Sequence, residues 1–200
     1  MGEGPAPLVK STRIGPQAGF ELWFLDLTGQ PTLSYKAVFA ASAVAHMIAQ
    51  GQTRALLTSS GNTGSAVAAY CARAGISCTI AVSDGTPVGK LRKMAAAGAR
   101  IIEVENFGAD PSVDERVLEI LTQARDAHTA MPVSNYLYCP EGMRGAETFP
   151  YFIDADAGLE RLDHVFVPAG SGALVRAVAQ GFSHPSVTHK PAVHLVQPAG

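Results

Sequence analysis

From Arg54 onward the chain alternates short apolar runs with Ala-rich or amphipathic segments, and this alternation constrains the fold more than any other feature. Arg54 to Thr58 reads as a short buried strand. A Ser/Gly/Asn turn separates it from an Ala-rich helix over 63–73, which Gly75 stops. Residues 77–82 read as the next strand, and Pro87 opens a helix that runs through Ala97 to a stop at Gly98. Residues 100–104 form a strand. Asp110 and Pro111 then start a long helix to about Thr129, with Val113, Val117, Leu118, Leu121 and Ala124 on one face. Beyond Gly142 the same grammar returns: a helix over 147–155, a strand over 163–167, a helix over 174–182 and a strand over 192–196. The polar stretch 183–191, with two prolines, is a loop, and a hairpin is expected over 22–27 with its turn at Thr28-Gly29. Strand–helix–strand repetition with short connections predicts parallel sheets joined by right-handed crossovers.

Composition excludes several function classes. Of the 200 residues, 47% are hydrophobic and only 16% are charged, which is enough to build a core and argues against disorder. The net charge of −2 offers no basic field for nucleic acid and no polybasic tail for a membrane surface. Apolar stretches are interrupted well before membrane-spanning length, and Met1-Gly2-Glu3-Gly4-Pro5 lacks the charge and apolar run of a signal peptide. Three scattered cysteines, Cys71, Cys78 and Cys139, fit a reducing compartment better than a disulfide framework. A soluble, cytoplasmic α/β protein is expected.

Three loops carry possible chemistry. Lys36 directly precedes a strong helix former, Ala37 to Ala45, and alone among the five lysines lies in an apolar context. Half-buried at a positive helix end, its amine tends toward the neutral, nucleophilic form that a Schiff-base lysine needs. The alternative is a helix-start lysine with its head in solvent. Ser59-Ser60-Gly61-Asn62-Thr63-Gly64 links a strand to a helix, as a ligand loop or as an ordinary Ser/Asn N-cap. Pro168-Ala169-Gly170-Ser171-Gly172-Ala173-Leu174 also sits between strand and helix, as a nest of N–H donors for a phosphate or as a tight turn. It matches neither a Walker loop, nor the dinucleotide fingerprint, nor a nucleophile elbow. His184, His189 and His194 have no Cys or carboxylate cluster beside them and read as surface or strand residues, so no metal site is expected. Asp154 and Asp156 read as carboxylates flanking a helix end and solvating a loop.

In this order the loops resemble those of the fold-type II pyridoxal-phosphate (PLP) enzymes, the tryptophan synthase β-like group, and within it most closely the threonine synthases. Gly2 to Val9 resembles Gly-Glu-Gly-x-Thr-Pro-Leu-Val, and Gln30 to Lys36 resembles Asn-Pro-Thr-Gly-Ser-Phe-Lys. Ser60 to Gly64 matches the asparagine loop directly. Lys90-Leu91 and Gly98-Ala99 fall where the group has Gly-Lys-Leu and Gly-Ala. Residues 141–148 resemble its Glu-Gly-x-x-Thr segment, and 167–172 its Val-Pro-x-Gly-x-Gly. The chain departs at Leu33, where the group has glycine, and at Ala37-Val38, where it usually has Asp-Arg. Ala173 replaces a usual glycine and Leu174 a common asparagine.

The resemblance implies an α/β architecture of two parallel-sheet, Rossmann-like domains. The smaller spans 30–141. The larger takes 1–29 with 142–200 and lacks a C-terminal portion. It implies PLP as cofactor, bound by Lys36 as a Schiff base. Asn62 would meet the ring 3-oxygen, and Gly170, Ser171, Gly172 and Ala173 would hold the phosphate. Ser60, Gly61 and Thr63 would hold the carboxylate of a small amino-acid substrate. The implied reaction is phosphate elimination from O-phosphohomoserine with water addition. A threonine dehydratase-like or cysteine synthase-like reaction is the nearest alternative in chemistry. A catalytically silent fragment or paralogue serving as a binding subunit is the alternative in class. A homodimer, or a complementing C-terminal portion, is the expected partner.

Overall fold

A computed structural model describes residues 2–156 and 159–198. The chain divides into two compact units, one of Lys36–Gly145 and one of residues 2–35 with the described residues from Ala146 on. Before Lys36 the elements are β1 (Leu8–Lys10), α1 (Ile14–Ala18) and β2 (Trp23–Leu25). The first unit then holds α2 (Lys36–Ala49), β3 (Arg54–Thr58), α3 (Asn62–Ala74), β4 (Ser77–Ser83) and α4 (Val88–Ala96). It continues with β5 (Arg100–Val104), α5 (Pro111–Gln123), β6 (Thr129–Ala130) and α6 (Pro140–Ala146). The chain closes with α7 (Phe149–Asp154), β7 (His164–Pro168), α8 (Ala173–Ser183) and β8 (Ala192–Val196).

In the Lys36–Gly145 unit one parallel sheet runs in the order β5-β4-β3-β6, with Leu57 opposite Ile80 and Ile80 opposite Ile101. Its central strands are apolar because helices cover a parallel sheet on both faces. Phe39, Leu57, Val67, Ile80, Val82 and Met94 are fully buried between them. Gly75 ends α3 in the left-handed conformation, at φ 68°, and its N–H returns to the Ala72 carbonyl. In the other unit β7 pairs with β8 in parallel and β1 with β2 antiparallel. The α/β class and parallel sheets expected from the alternation are the ones the chain adopts.

Three expectations are corrected. The helix begun at Pro111 stops at Gln123, because Asp126 turns the chain: its carboxylate accepts from the His128 N–H and the Thr129 hydroxyl, and it pairs with Arg54. Thr129–Ala130 then joins the sheet beside β3. The hairpin at 22–27 does not form. β2 pairs back with β1, while Asp26 Oδ1 takes up the Thr28 N–H and hydroxyl. The helix expected over 147–155 begins at Phe149, where Pro150 suits a first turn, and a separate helix, α6, precedes it.

Candidate functional site

Lys36 is the first residue of α2. Its Nζ donates to Ser134 Oγ at 2.5 Å, and Ser134 Oγ lies 3.0 Å from Thr63 Oγ1. The ammonium also sits 5.9 Å from the centroid of the buried Phe39 ring. Burial pulls the amine down from 10.5 to about 8. The residues leading into it are held at a cost. Leu33 is left-handed at φ 60°, and the side-chain oxygens of Gln30, Thr32 and Ser34 are buried without a hydrogen-bond partner. Such costs persist where surrounding packing over-determines the backbone, and they concentrate at functional segments.

The Ser59–Gly64 loop is built from hydroxyls. Ser59 Oγ accepts from the N–H groups of Gly61 at 3.2 Å and Gly64 at 2.8 Å. Ser60 Oγ accepts from the Ser83 N–H at 3.2 Å, and Ser83 Oγ lies 3.1 Å from both Ser60 Oγ and Thr86 Oγ1. Gly64 is required here. A Cβ on it would lie 2.9 Å from the Ser59 carbonyl and 2.8 Å from Met94 Cε. Its absence lets the first turn of α3 settle onto the end of β3. Asn62 opens that turn, and its Oδ1 accepts from Lys90 Nζ. The N-cap residue Gly61 has no side chain to cap α3, and of the first-turn N–H groups Ser59 Oγ takes that of Gly64, so the turn offers the N–H groups of Asn62 and Thr63 as donors.

In the other unit, Gly170 to Ala173 connects β7 to α8. Gly172 caps α8 in the left-handed conformation, at φ 79°, and no side chain caps the helix. The Ala169 N–H donates to the Val196 carbonyl at 2.9 Å, and Gln197 Nε2 to the Gly170 carbonyl at 3.3 Å, so the turn is anchored from β8. Open space surrounds the Cα atoms of Gly170 and Gly172.

Within the Lys36–Gly145 unit the structure thus brings Lys36 and Thr63 together through Ser134, and Ser60 and Asn62 each acquire a partner from the β4–α4 region. Ser134 went unmarked in the sequence, and Lys90 stood out only as part of a motif. The histidines are elsewhere: His184 lies 2.8 Å from Ser186, His189 pairs with Asp154, and His194 lies 3.0 Å from His164. Among the described residues no group of three or more His, Cys, Asp or Glu could hold a metal. Asp154 does not solvate a loop. It is largely buried and accepts hydrogen bonds from Thr188 and His189. Among the described residues no helix is long and apolar enough to cross a membrane.

The family described as "Pyridoxal-phosphate dependent enzyme" matches residues 1–200. A threonine synthase of Mycobacterium leprae is 29% identical over 229 residues, covering 98% of this chain and 61% of that protein. Two solved structures share the fold. A PLP-dependent aspartate racemase aligns with a TM-score of 0.81 at 24% identity, over 98% of this chain and 58% of that one. Threonine deaminase isoform 2 from Solanum lycopersicum aligns at 0.78 and 20%, over 98% and 55%. The chain therefore spans less than two thirds of the length of these relatives.

The donor set suits the cofactor named by that family. An aldehyde is attacked by the neutral form of an amine, and burial, by lowering Lys36 to about 8, brings that form much closer to physiological pH than in an exposed lysine. A phosphate needs N–H donors without nearby carboxylates, and the uncapped Gly-rich turn before α8 offers them.

Proposed function

The chain belongs to the pyridoxal-phosphate dependent enzyme family, with PLP as cofactor, and we propose on that footing that it acts on a small amino acid in the manner of a threonine synthase. The observation that carries this reading is the Lys36 amine, half-buried, shifted to about 8 and held by Ser134. Bound PLP supplies an electron sink for negative charge at the substrate Cα. Lys36 attaches the cofactor and moves the Cα proton. Asn62 meets the ring 3-oxygen. Ser60, Gly61 and Thr63 take the substrate carboxylate, and Gly170, Ser171, Gly172 and Ala173 take the cofactor phosphate. The substrate is O-phosphohomoserine, which loses phosphate and gains water. A dehydratase-like or cysteine synthase-like reaction uses the same groups. Free thiols at Cys71, Cys78 and Cys139 support a cytoplasmic setting.

A second reading has its own support. Inside the unit containing β7 and β8 an apolar groove of about 590 Å³ is lined by Val9, Phe24, Leu33, Phe166 and Leu174 among others. Phe166, Leu195 and Val196 of the two-stranded sheet are exposed. The chain then acts as a partner subunit, silent alone, whose groove receives the remaining length that relatives carry. A homodimer is the further expectation.

Titrating the chain with PLP separates these readings. A visible absorption band that disappears in Lys36→Ala supports the enzyme. Absence of any Lys36-dependent band sinks it for the 200-residue chain.

A further inference from the structure

We propose that Lys90 is a positioning residue: it fixes which end of the Asn62 amide meets the cofactor, and this rests on the reading of Asn62 as the partner of the ring 3-oxygen. An ammonium group can only donate, so Lys90 Nζ can engage only the carbonyl end of the Asn62 side chain, and it does so at Oδ1. An acceptor that approaches the amide then meets its NH2 end. The 3-oxygen of a pyridoxal ring, once deprotonated, needs a donor. Lys90 therefore turns Asn62 into the donor that this oxygen requires, and it discourages the flipped amide, which has nearly the same shape.

The placement of Lys90 supports a role beyond its own helix. It is the third residue of α4, where the positive helix end disfavours a cation. The site is nonetheless well fixed. The Lys90 N–H donates to the Pro87 carbonyl at 2.8 Å, the Ser60–Ser83 hydroxyl pair ties the β4–α4 loop to the asparagine loop, and the Ser83–Thr86 pair braces the β4–α4 loop internally. The side chain thus reaches from one βα loop to the next between two anchored backbones.

A double-mutant cycle on PLP affinity tests this, read by equilibrium dialysis of the whole chain. Lys90→Met is expected to weaken PLP binding about fivefold, the weight of one ordinary hydrogen bond, and Lys90→Arg to restore it to within about twofold. In an Asn62→Ala background, Lys90→Met is expected to change affinity by less than about twofold. Lys90→Met should also lower the long-wavelength share of the Lys36-dependent absorption while leaving the melting of the cofactor-free chain in place. An equal fivefold loss in the Asn62→Ala background would show that Lys90 acts by its charge alone and would overturn the proposal, as would full affinity in Lys90→Met. If wild type binds PLP through Lys36 but the cycle is additive, only this inference fails. If wild type shows no Lys36-dependent binding, the functional reading beneath it fails as well.

Discussion

Lys36 Nζ donates to Ser134 Oγ at 2.5 Å, joining residues 98 positions apart and placing an amine shifted to about 8 against a hydroxyl that also meets Thr63. The lysine is costly to the fold in its charged form, and that cost has a sign that can be measured. Between about pH 8 and 10.5 the folded chain holds Lys36 neutral while the unfolded chain still protonates it. The unfolded state then binds more protons, so stability rises with pH across this window. Below pH 8 the full burial cost is present, roughly 3 kcal/mol at about 1.36 kcal/mol per pKa unit. Lys36→Met is expected to raise the urea midpoint of the cofactor-free chain at pH 7 and to flatten its rise between pH 8 and 10.5. A variant less stable than wild type at pH 7 would mean that Ser134 and Phe39 more than offset the burial of the charge.

Ser134 stabilises the protonated amine by accepting from it. Removing that acceptor favours the neutral form, so Ser134→Ala should make Lys36 of the cofactor-free chain more reactive at pH 7. We expect about a two- to fivefold faster reaction with a small acylating reagent, scored on the Lys36 peptide by mass spectrometry. Ser134→Thr keeps the hydroxyl and should label like wild type. Equal rates in all three proteins would remove Ser134 from the account of this lysine.

Leu33 adopts φ 60° and is 65% exposed. An L-residue pays about 1–2 kcal/mol for that conformation, and glycine avoids it at an entropic cost of about 0.5–1 kcal/mol. Little apolar burial is lost with the side chain. Leu33→Gly is therefore expected to stabilise the chain by about 0.5–1 kcal/mol, read from denaturant midpoints, whereas Leu33→Ala stays near neutral. The resemblance places a glycine at this position, and the backbone of this chain still adopts the shape that glycine favours.

Gly142 lies in α6, where a Cβ would come within 2.5 Å of Phe39 Cε2 and 2.9 Å of Cys139 Sγ. Phe39 is fully buried, so its ring has no solvent to swing into and can give way only by displacing its packed neighbours. Gly142→Ala should cost about 1–3 kcal/mol by overpacking. A thermal melt compared with wild type checks this, and Gly142→Ala combined with Phe39→Leu should recover part of the loss.

Local features were legible in the sequence, and features assembled by pairing were not. The lysine at the start of α2, the loop entering α3 and the Gly-rich turn before α8 follow from adjacent residues, whose propensities and caps act over one or two turns. Ser134 could not be found that way. It reaches Lys36 because Thr129–Ala130 pairs with β3, and a two-residue strand leaves no periodicity to read. The overlong helix after Pro111 failed for a related reason. Helical patterning continued past Gln123, but the Asp126 carboxylate offered His128 and Thr129 stronger local partners than another helical turn. Asp154 looked like a solvated helix-end carboxylate because nothing in 183–191 announces a partner 34 residues away.

That carboxylate now supports the strongest stability prediction. Asp154 ends α7 and accepts from the Thr188 N–H at 2.9 Å, the Thr188 hydroxyl at 2.7 Å, the His189 N–H at 2.9 Å and His189 Nδ1 at 2.7 Å. Burial alone would raise its pKa, but the donors of His189 and Thr188 outweigh this and hold the carboxyl well below its usual 3.8. Above 3.8 the stabilisation is fully present. As pH falls below 3.8 the unfolded chain takes up a proton that the folded chain refuses, and stability drops. Asp154→Ala removes the acceptor and leaves the loop donors without it, at a cost of about 2 kcal/mol at pH 7. It should also release the 183–191 loop, seen as faster proteolytic nicking there, and flatten the acid limb of the stability profile below pH 3.8 relative to wild type. Asp154→Asn retains one acceptor oxygen and should fall between the two. An Asp154→Ala variant with wild-type stability and an unchanged nicking rate would show that the loop is held by packing around Val187, which is 1% exposed, and not by the carboxylate.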